Sequence, residues 1–207
     1  MDLHTLHIES PLGAIRLSGN GNALTELSFL DEAPTGVTDT EDDILQETAR
    51  QLTAYFNGQR TSFSVPLEPS GTLFQQKVWE ELLRIPCGAT ISYRELSIRL
   101  GDPLCIRAAA AANGKNPIGI LIPCHRVIGS DGSLTGYAGG LWRKEKILEI
   151  EGVLRPQPRL FKADILPLLP FSNDLAAWKI YFENPYRRFK FRSSRFCSFL
   201  ILKLYPP

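Results

Sequence analysis

Cysteine and histidine are scarce in this 207-residue chain, with four of the first and three of the second. The cysteines, Cys87, Cys105, Cys124 and Cys197, are too few and too dispersed for a disulfide framework. No Cys-x-x-Cys pair occurs, and the histidines are His4, His7 and His125, so a zinc site would have to be gathered from distant segments. No metal site is expected. No apolar run approaches the ~18–20 residues of a membrane helix, and no membrane association is expected. The first ten residues carry acids and histidines where a secretory signal has a basic end and an apolar core. The expected location is the cytoplasm, with the nucleoid in reach if the cell is bacterial.

A net charge of +1 conceals a marked asymmetry. Residues 1–70 hold 3 basic and 11 acidic side chains, residues 71–154 hold 10 and 8, and residues 155–207 hold 10 and 3. A polyanion would be repelled by the first segment and tolerated or attracted by the other two.

Residues 4–10 and 14–18 alternate as two strands around the turn signal Ser10-Pro11-Leu12-Gly13, and residues 23–30 read as a third strand. The acidic stretch 31–43 reads as a loop. A helix over 44–56 follows, stopped by Asn57-Gly58. Beyond residue 71, Thr72 can cap a helix whose stripe is Phe74, Val78, Leu82 and Leu83. Ser92, with Glu95 as its capping-box partner, opens another over 93–100. After Gly101-Asp102-Pro103, residues 105–113 form an alanine-rich helix. Two short helices around a glycine-bearing turn fit a helix-turn-helix or a hairpin used only for packing. The last 54 residues, from 154, form an atypical tail with the aromatic-basic run Tyr186-Arg187-Arg188-Phe189-Lys190-Phe191-Arg192.

The chemistry concentrates in Leu121-Ile122-Pro123-Cys124-His125-Arg126-Val127-Ile128, read as an apolar strand ending in a thiol beside an imidazole and a guanidinium. A thiolate is the nucleophilic form of cysteine, and a nearby base or positive charge favours it. On an extended strand Cys124 and His125 would face opposite ways and need not touch directly, and a bound water could link them. Glu151, at the end of a helix over 142–151, is the candidate to orient the ring. An isolated Cys-His dipeptide more often marks a structural cysteine. Here a glycine-rich loop, Thr135-Gly136-Tyr137-Ala138-Gly139-Gly140, follows, and it can bring backbone amides close to a flat ligand.

Pro123-Cys124-His125-Arg126-Val127-Ile128-Gly129, then Thr135 to Gly140, then Arg143-Lys144-Glu145, resembles the methylated-DNA–protein-cysteine methyltransferases, the O6-alkylguanine-DNA alkyltransferases. Phe74-Gln75-Gln76-Lys77-Val78-Trp79, Ile85-Pro86-Cys87-Gly88, Ser92-Tyr93, Arg107-Ala108 and Asn116-Pro117 agree in order and spacing. The resemblance implies an α+β protein. Its parts would be a ribonuclease-H-like α/β domain over 1–70, a winged-helix-like domain with a helix-turn-helix over 71–153, and the tail over 154–207.

The same resemblance implies irreversible, single-turnover transfer of an alkyl group from guanine O6, and less readily thymine O4, to Cys124 after the nucleotide flips out. His125 would activate Cys124 through a water, Glu151 would orient His125, and Asn116 would hold the active-site turn. Tyr93 would donate to the base and disturb the 3′ phosphate, and Arg107 would fill the vacated base stack. Ala108, Ala111 and Ala112 would face the DNA. Val127, Tyr137, Ala138 and Lys144 would form the base pocket. The implied partner is double-stranded DNA with alkylated bases, the implied state is a monomer, and no metal or organic cofactor is called for because the thiolate itself is the reagent. Two alternatives stand beside this reading, a lesion sensor that docks without repairing and a cysteine hydrolase using Cys124 and His125. One departure is Ala109-Ala110, where many relatives carry valine and glycine.

Overall fold

Leu6, Leu17 and Leu27 lie side by side across three antiparallel strands, because the two-residue period of each strand turns the same face inward. The computed structural model describes residues 3–30 and 41–155. In it β1 (His4–Ile8), β2 (Ile15–Gly19) and β3 (Leu24–Phe29) form a meander in that order. The turn between β1 and β2 is tied by Ser10 Oγ, which donates to Gly13 O and accepts from Leu12 N, and Gly13 takes a φ of 97°. Helix α1 (Asp43–Phe56) starts at Asp42, whose carboxylate accepts from the amides of Ile44 and Leu45. Its buried stripe of Leu45, Thr48, Leu52 and Tyr55 covers the sheet. Of the acidic loop read over 31–43, residues 31–40 lie outside the described part.

The second half holds α2 (Leu73–Leu83), α3 (Tyr93–Arg99), α4 (Ile106–Gly114) and α5 (Leu141–Ile150), with a two-residue parallel pair, β4 (Ile91–Ser92) and β5 (Val127–Ile128). Thr72 and Gln75 close a reciprocal capping box on α2. Ser92 caps α3 through Glu95 N, but the Glu95 carboxylate turns away to Arg99, so the expected second half of that box is not made. Glu95 and Arg99 stand one turn apart on the same helix face, the spacing that brings opposite charges together. Helix α2 packs against α4, where Trp79 Nε1 donates to Ala112 O at 3.0 Å.

Strand β3 joins the two halves. Leu27 N donates to Pro117 O at 2.9 Å and Gly119 N to Leu27 O at 3.3 Å, so the sheet edge pairs with the segment leading to Cys124. One apolar cluster runs from Leu6 through Trp79 to Ile147. The fold is a two-domain α+β arrangement sharing that core. The basic aromatic tail lies outside the described residues from Pro156 onward, and Cys197 with it.

Candidate active site

Residues 121–126 do not form the strand read from their apolar pattern; the chain from 118 to 126 turns instead. Asn116 gathers them into a turn: its Nδ2 donates to Ile122 O at 2.8 Å and its Oδ1 accepts from Ile118 N at 3.0 Å. Ile120 adopts a φ of 67°, a conformation costly for a β-branched residue and rarely held without such over-determination. Pro123 brings no N–H to a ladder, and Cys124–Arg126 wind into a single 3-10 turn. Successive side chains there diverge by about 120° rather than alternating. This corrects the expected opposition of Cys124 and His125 across a strand.

His125 is wholly buried, and its Nε2 lies 3.0 Å from Glu151 Oε1. Its Nδ1 is also buried and has no hydrogen-bond partner. Arg126 donates to the same carboxylate through Nε at 3.0 Å and Nη2 at 2.7 Å, and caps Ile85 O with Nη1. Burial alone would raise the Glu151 carboxyl, but hydrogen bonds from His125 and Arg126 outweigh it and hold the group at about 2. Burial depresses the His125 imidazole, against the pull of Glu151, and keeps the ring neutral. The Cys124 thiol is pushed up by burial, against a hydrogen bond from Asn116 and the charge of Lys144. The resting pair is therefore a thiol and a neutral imidazole with one open nitrogen, which is what general-base activation of a nucleophile requires.

Cys124 lines a recess of about 280 Å³. One wall is the β3 edge from Glu26 to Phe29; the others include Asn113, Asn116 and the glycine-rich loop from Gly136 to Gly139. Arg143 holds that loop by donating to Gly139 O, and pins it to the first domain through Leu12 O and Leu30 O. A larger space of about 440 Å³, around Cys87 and the far side of Arg126, includes neither Cys124 nor His125.

Among the residues singled out from sequence, Cys124, Asn116, Tyr137 and Ala138 share the recess. Tyr93, half-buried, donates to Thr135 O at 3.3 Å, and burial keeps its phenol protonated. Arg107, Ala108 and Ala111 are exposed on α4. Ala112 is not: it is buried against Trp79, because helical periodicity turns it to the α2 side. Lys144 is also misplaced as a pocket residue. It is fully buried behind the recess, with Nζ donating to Val127 O at 2.6 Å and Thr135 O at 2.8 Å, and burial pulls it down to about 8. Val127 is likewise absent from the recess lining and is fully buried.

The 6-O-methylguanine DNA methyltransferase ribonuclease-like domain matches residues 4–69, and the DNA binding domain of the same name matches 73–153. A methylated-DNA–protein-cysteine methyltransferase of Methanosarcina barkeri is 49% identical over 149 residues, covering 70% of this chain and 94% of that protein. The chain belongs to the methylated-DNA–protein-cysteine methyltransferase family. A Mycobacterium tuberculosis O6-methylguanine methyltransferase structure superposes with a TM-score of 0.66 at 42% identity, covering 78% of this chain and all of that one. The Mycobacterium tuberculosis OGT in complex with DNA matches with a TM-score of 0.66 at 47% identity, covering 72% and 92%.

Within this methyltransferase, sequence reasoning passed over Arg126 as a partner of Glu151, Asn113, Arg143 and Tyr55. Asn113 donates to Cys124 O at 3.4 Å, and Tyr55 donates to Glu151. Arg126 stood inside the Pro-Cys-His-Arg motif and could have been flagged as a charge needing a buried partner. Tyr55 carried no such signal, sitting among ordinary apolar positions of α1.

Proposed function

We propose that this chain repairs alkylated DNA directly, taking the alkyl group from guanine O6, and less readily thymine O4, onto Cys124. The observation that carries this reading is Cys124 at the recess beside an imidazole that Glu151 holds by Nε2, with Nδ1 uncommitted. A water between Nδ1 and the thiol passes the thiol proton to His125. The thiolate attacks the alkyl carbon, the S–C bond forms as the C–O6 bond breaks, and the electron pair stays on the base. Tyr93, kept protonated, donates to the base as it leaves. The thioether has no route back to thiol, so each chain acts once, and the thiolate is itself the reagent.

A thiol at this recess cannot reach O6 inside a duplex, so the nucleotide turns out, at a cost of a few kcal/mol that is least for a damaged pair. The exposed face of α4 with Ala108 and Ala111 enters the minor groove, where small side chains permit close approach and base readout is weak. Arg107 fills the vacated stack. The Ala138 backbone and the remaining lone pair of Val127 O hold the extruded base, Tyr137 walls it, and Asn116 holds the turn beneath it. The domains divide at 1–70, 71–153 and the tail from 154. The protein works as a monomer on double-stranded DNA in the cytoplasm. Among the described residues, no helix is long and apolar enough to cross a membrane.

The test is a duplex oligonucleotide carrying O6-methylguanine, mixed with the full chain and followed by intact-mass and peptide mass spectrometry. The expected result is one methyl group per chain, on Cys124, and a Cys124→Ala protein that binds DNA and transfers nothing. Guanine restored over repeated turnovers with Cys124 unmodified would overturn the mechanism in favour of hydrolysis. Lesion binding with neither product would favour a sensor.

A further inference from the structure

Tyr55 belongs to α1, in the half of the chain with no chemistry assigned to it, yet its hydroxyl donates to Glu151 Oε1 at 2.8 Å. The same oxygen meets His125 Nε2 at 3.0 Å and Arg126 Nη2 at 2.7 Å. The Tyr55 ring is 1% exposed and is packed against Phe56 and Phe63, with centroids at 5.6 and 5.2 Å. The phenol is thus fixed on the carboxylate rather than free to turn to water. We propose that Tyr55 is a positioning residue for alkyl transfer, by which the first domain sets the orientation and basicity of His125 through Glu151. This inference rests on the alkyl-transfer reading above.

The physical argument is one of shared charge. Glu151 Oε1 distributes its negative charge among a phenol, a guanidinium and an imidazole N–H. Each additional donor weakens the hold on the others. Removing the phenol leaves Arg126 in place, so Glu151 stays ionised. More of its charge then falls on His125 Nε2, which favours the imidazolium. A smaller share of His125 is then neutral on the acid side, where the ring titrates, and only neutral His125 can take the proton from Cys124. The other ionisable groups around the pair are Lys144 on α5, the thiols of Cys124 and Cys87, and Tyr137 of the glycine-rich loop. None of them replaces the hydrogen bond that Tyr55 makes. Burial and Glu151 together keep the Tyr55 phenol protonated, so it acts as a donor throughout.

The test is the single-turnover rate of methyl transfer from an O6-methylguanine duplex as a function of pH, for the full chain and for Tyr55→Phe, with thermal midpoints recorded alongside. The expected result is an acid limb displaced upward by about half a pH unit, equivalent to about a threefold slower rate where the limb still falls. Replacing Tyr55 by 3,5-difluorotyrosine, which keeps the ring and strengthens the donor, should move the limb downward. Lost packing has no means of producing opposite shifts. A Tyr55→Phe profile that overlays the parent's, or that slows uniformly with an unmoved limb, would overturn the proposal. If Tyr55→Phe does not fold, an unmoved limb in the fluorinated protein overturns it. A parent chain that transfers no methyl at any pH would overturn the alkyl-transfer reading itself, and this role with it.

Discussion

His125 Nε2 and Glu151 Oε1 meet at 3.0 Å with both side chains fully buried, although the residues lie on the 3-10 turn and at the far end of α5. With Arg126 on the same carboxylate, the arrangement is a buried charge network whose members depend on one another.

Acid should undo this network in two stages. The His125 imidazole is depressed below its usual 6.5 by burial, so the native state favours the neutral ring, and stability falls as pH drops below about 6.5. Glu151 is held at about 2 against its ordinary 4.5, so its contribution is complete above 4.5 and is lost as pH falls toward 2. Thermal midpoints measured across this range should show both declines. Glu151→Gln should flatten the lower one and cost about 3–5 kcal/mol at neutral pH, because Arg126 is then buried without its counter-charge. A variant whose acid limb still parallels the parent's would refute the assignment.

Arg107 stands exposed on α4, away from the recess. Arg107→Ala should slow transfer from duplex DNA about tenfold or more, since about 1.4 kcal/mol of the flipping cost goes uncompensated. Reaction with free O6-benzylguanine, which needs no flipping, should stay nearly unchanged. Stopped-flow rates on both substrates check this, and equal losses would discredit the stack-filling role.

Lys144 ties Val127 O and Thr135 O together beneath the glycine-rich loop and places a cation near Cys124. Lys144→Met keeps most of the volume but takes the Lys144 donor from Val127 O and leaves Thr135 O with Tyr93 alone, at a cost of about 1–3 kcal/mol for a carbonyl that stays unsatisfied. The Cys124 thiol should also ionise at higher pH once the cation is gone. The pH dependence of alkylation by iodoacetamide reads this out. An unchanged profile would show that Lys144 acts on the loop alone.

Much of the local structure was legible because it depends on near neighbours. The Thr72 cap on α2, the Ser10-Pro11-Leu12-Gly13 turn and the stop at Asn57-Gly58 are all set within a few residues. The stretch 121–126 was misread because its apolar pattern is that of a buried strand, while the Asn116 side chain and Pro123 impose a turn. Ala112 was assigned to the DNA-facing surface and Lys144 to the base pocket, places that packing against Trp79 and beneath the loop denies them.

The order of motifs along the chain was enough to reveal the family and the two-domain plan and to single out Cys124 as the proposed reacting thiol, because side-chain chemistry and short-range spacing are written residue by residue. Which groups share the Glu151 carboxylate was decided only in three dimensions. Tyr55 and Arg126 reach it from α1 and from the 3-10 turn. Once buried, an ionised carboxylate must collect every donor that packing brings within reach, and no local pattern announces which those will be.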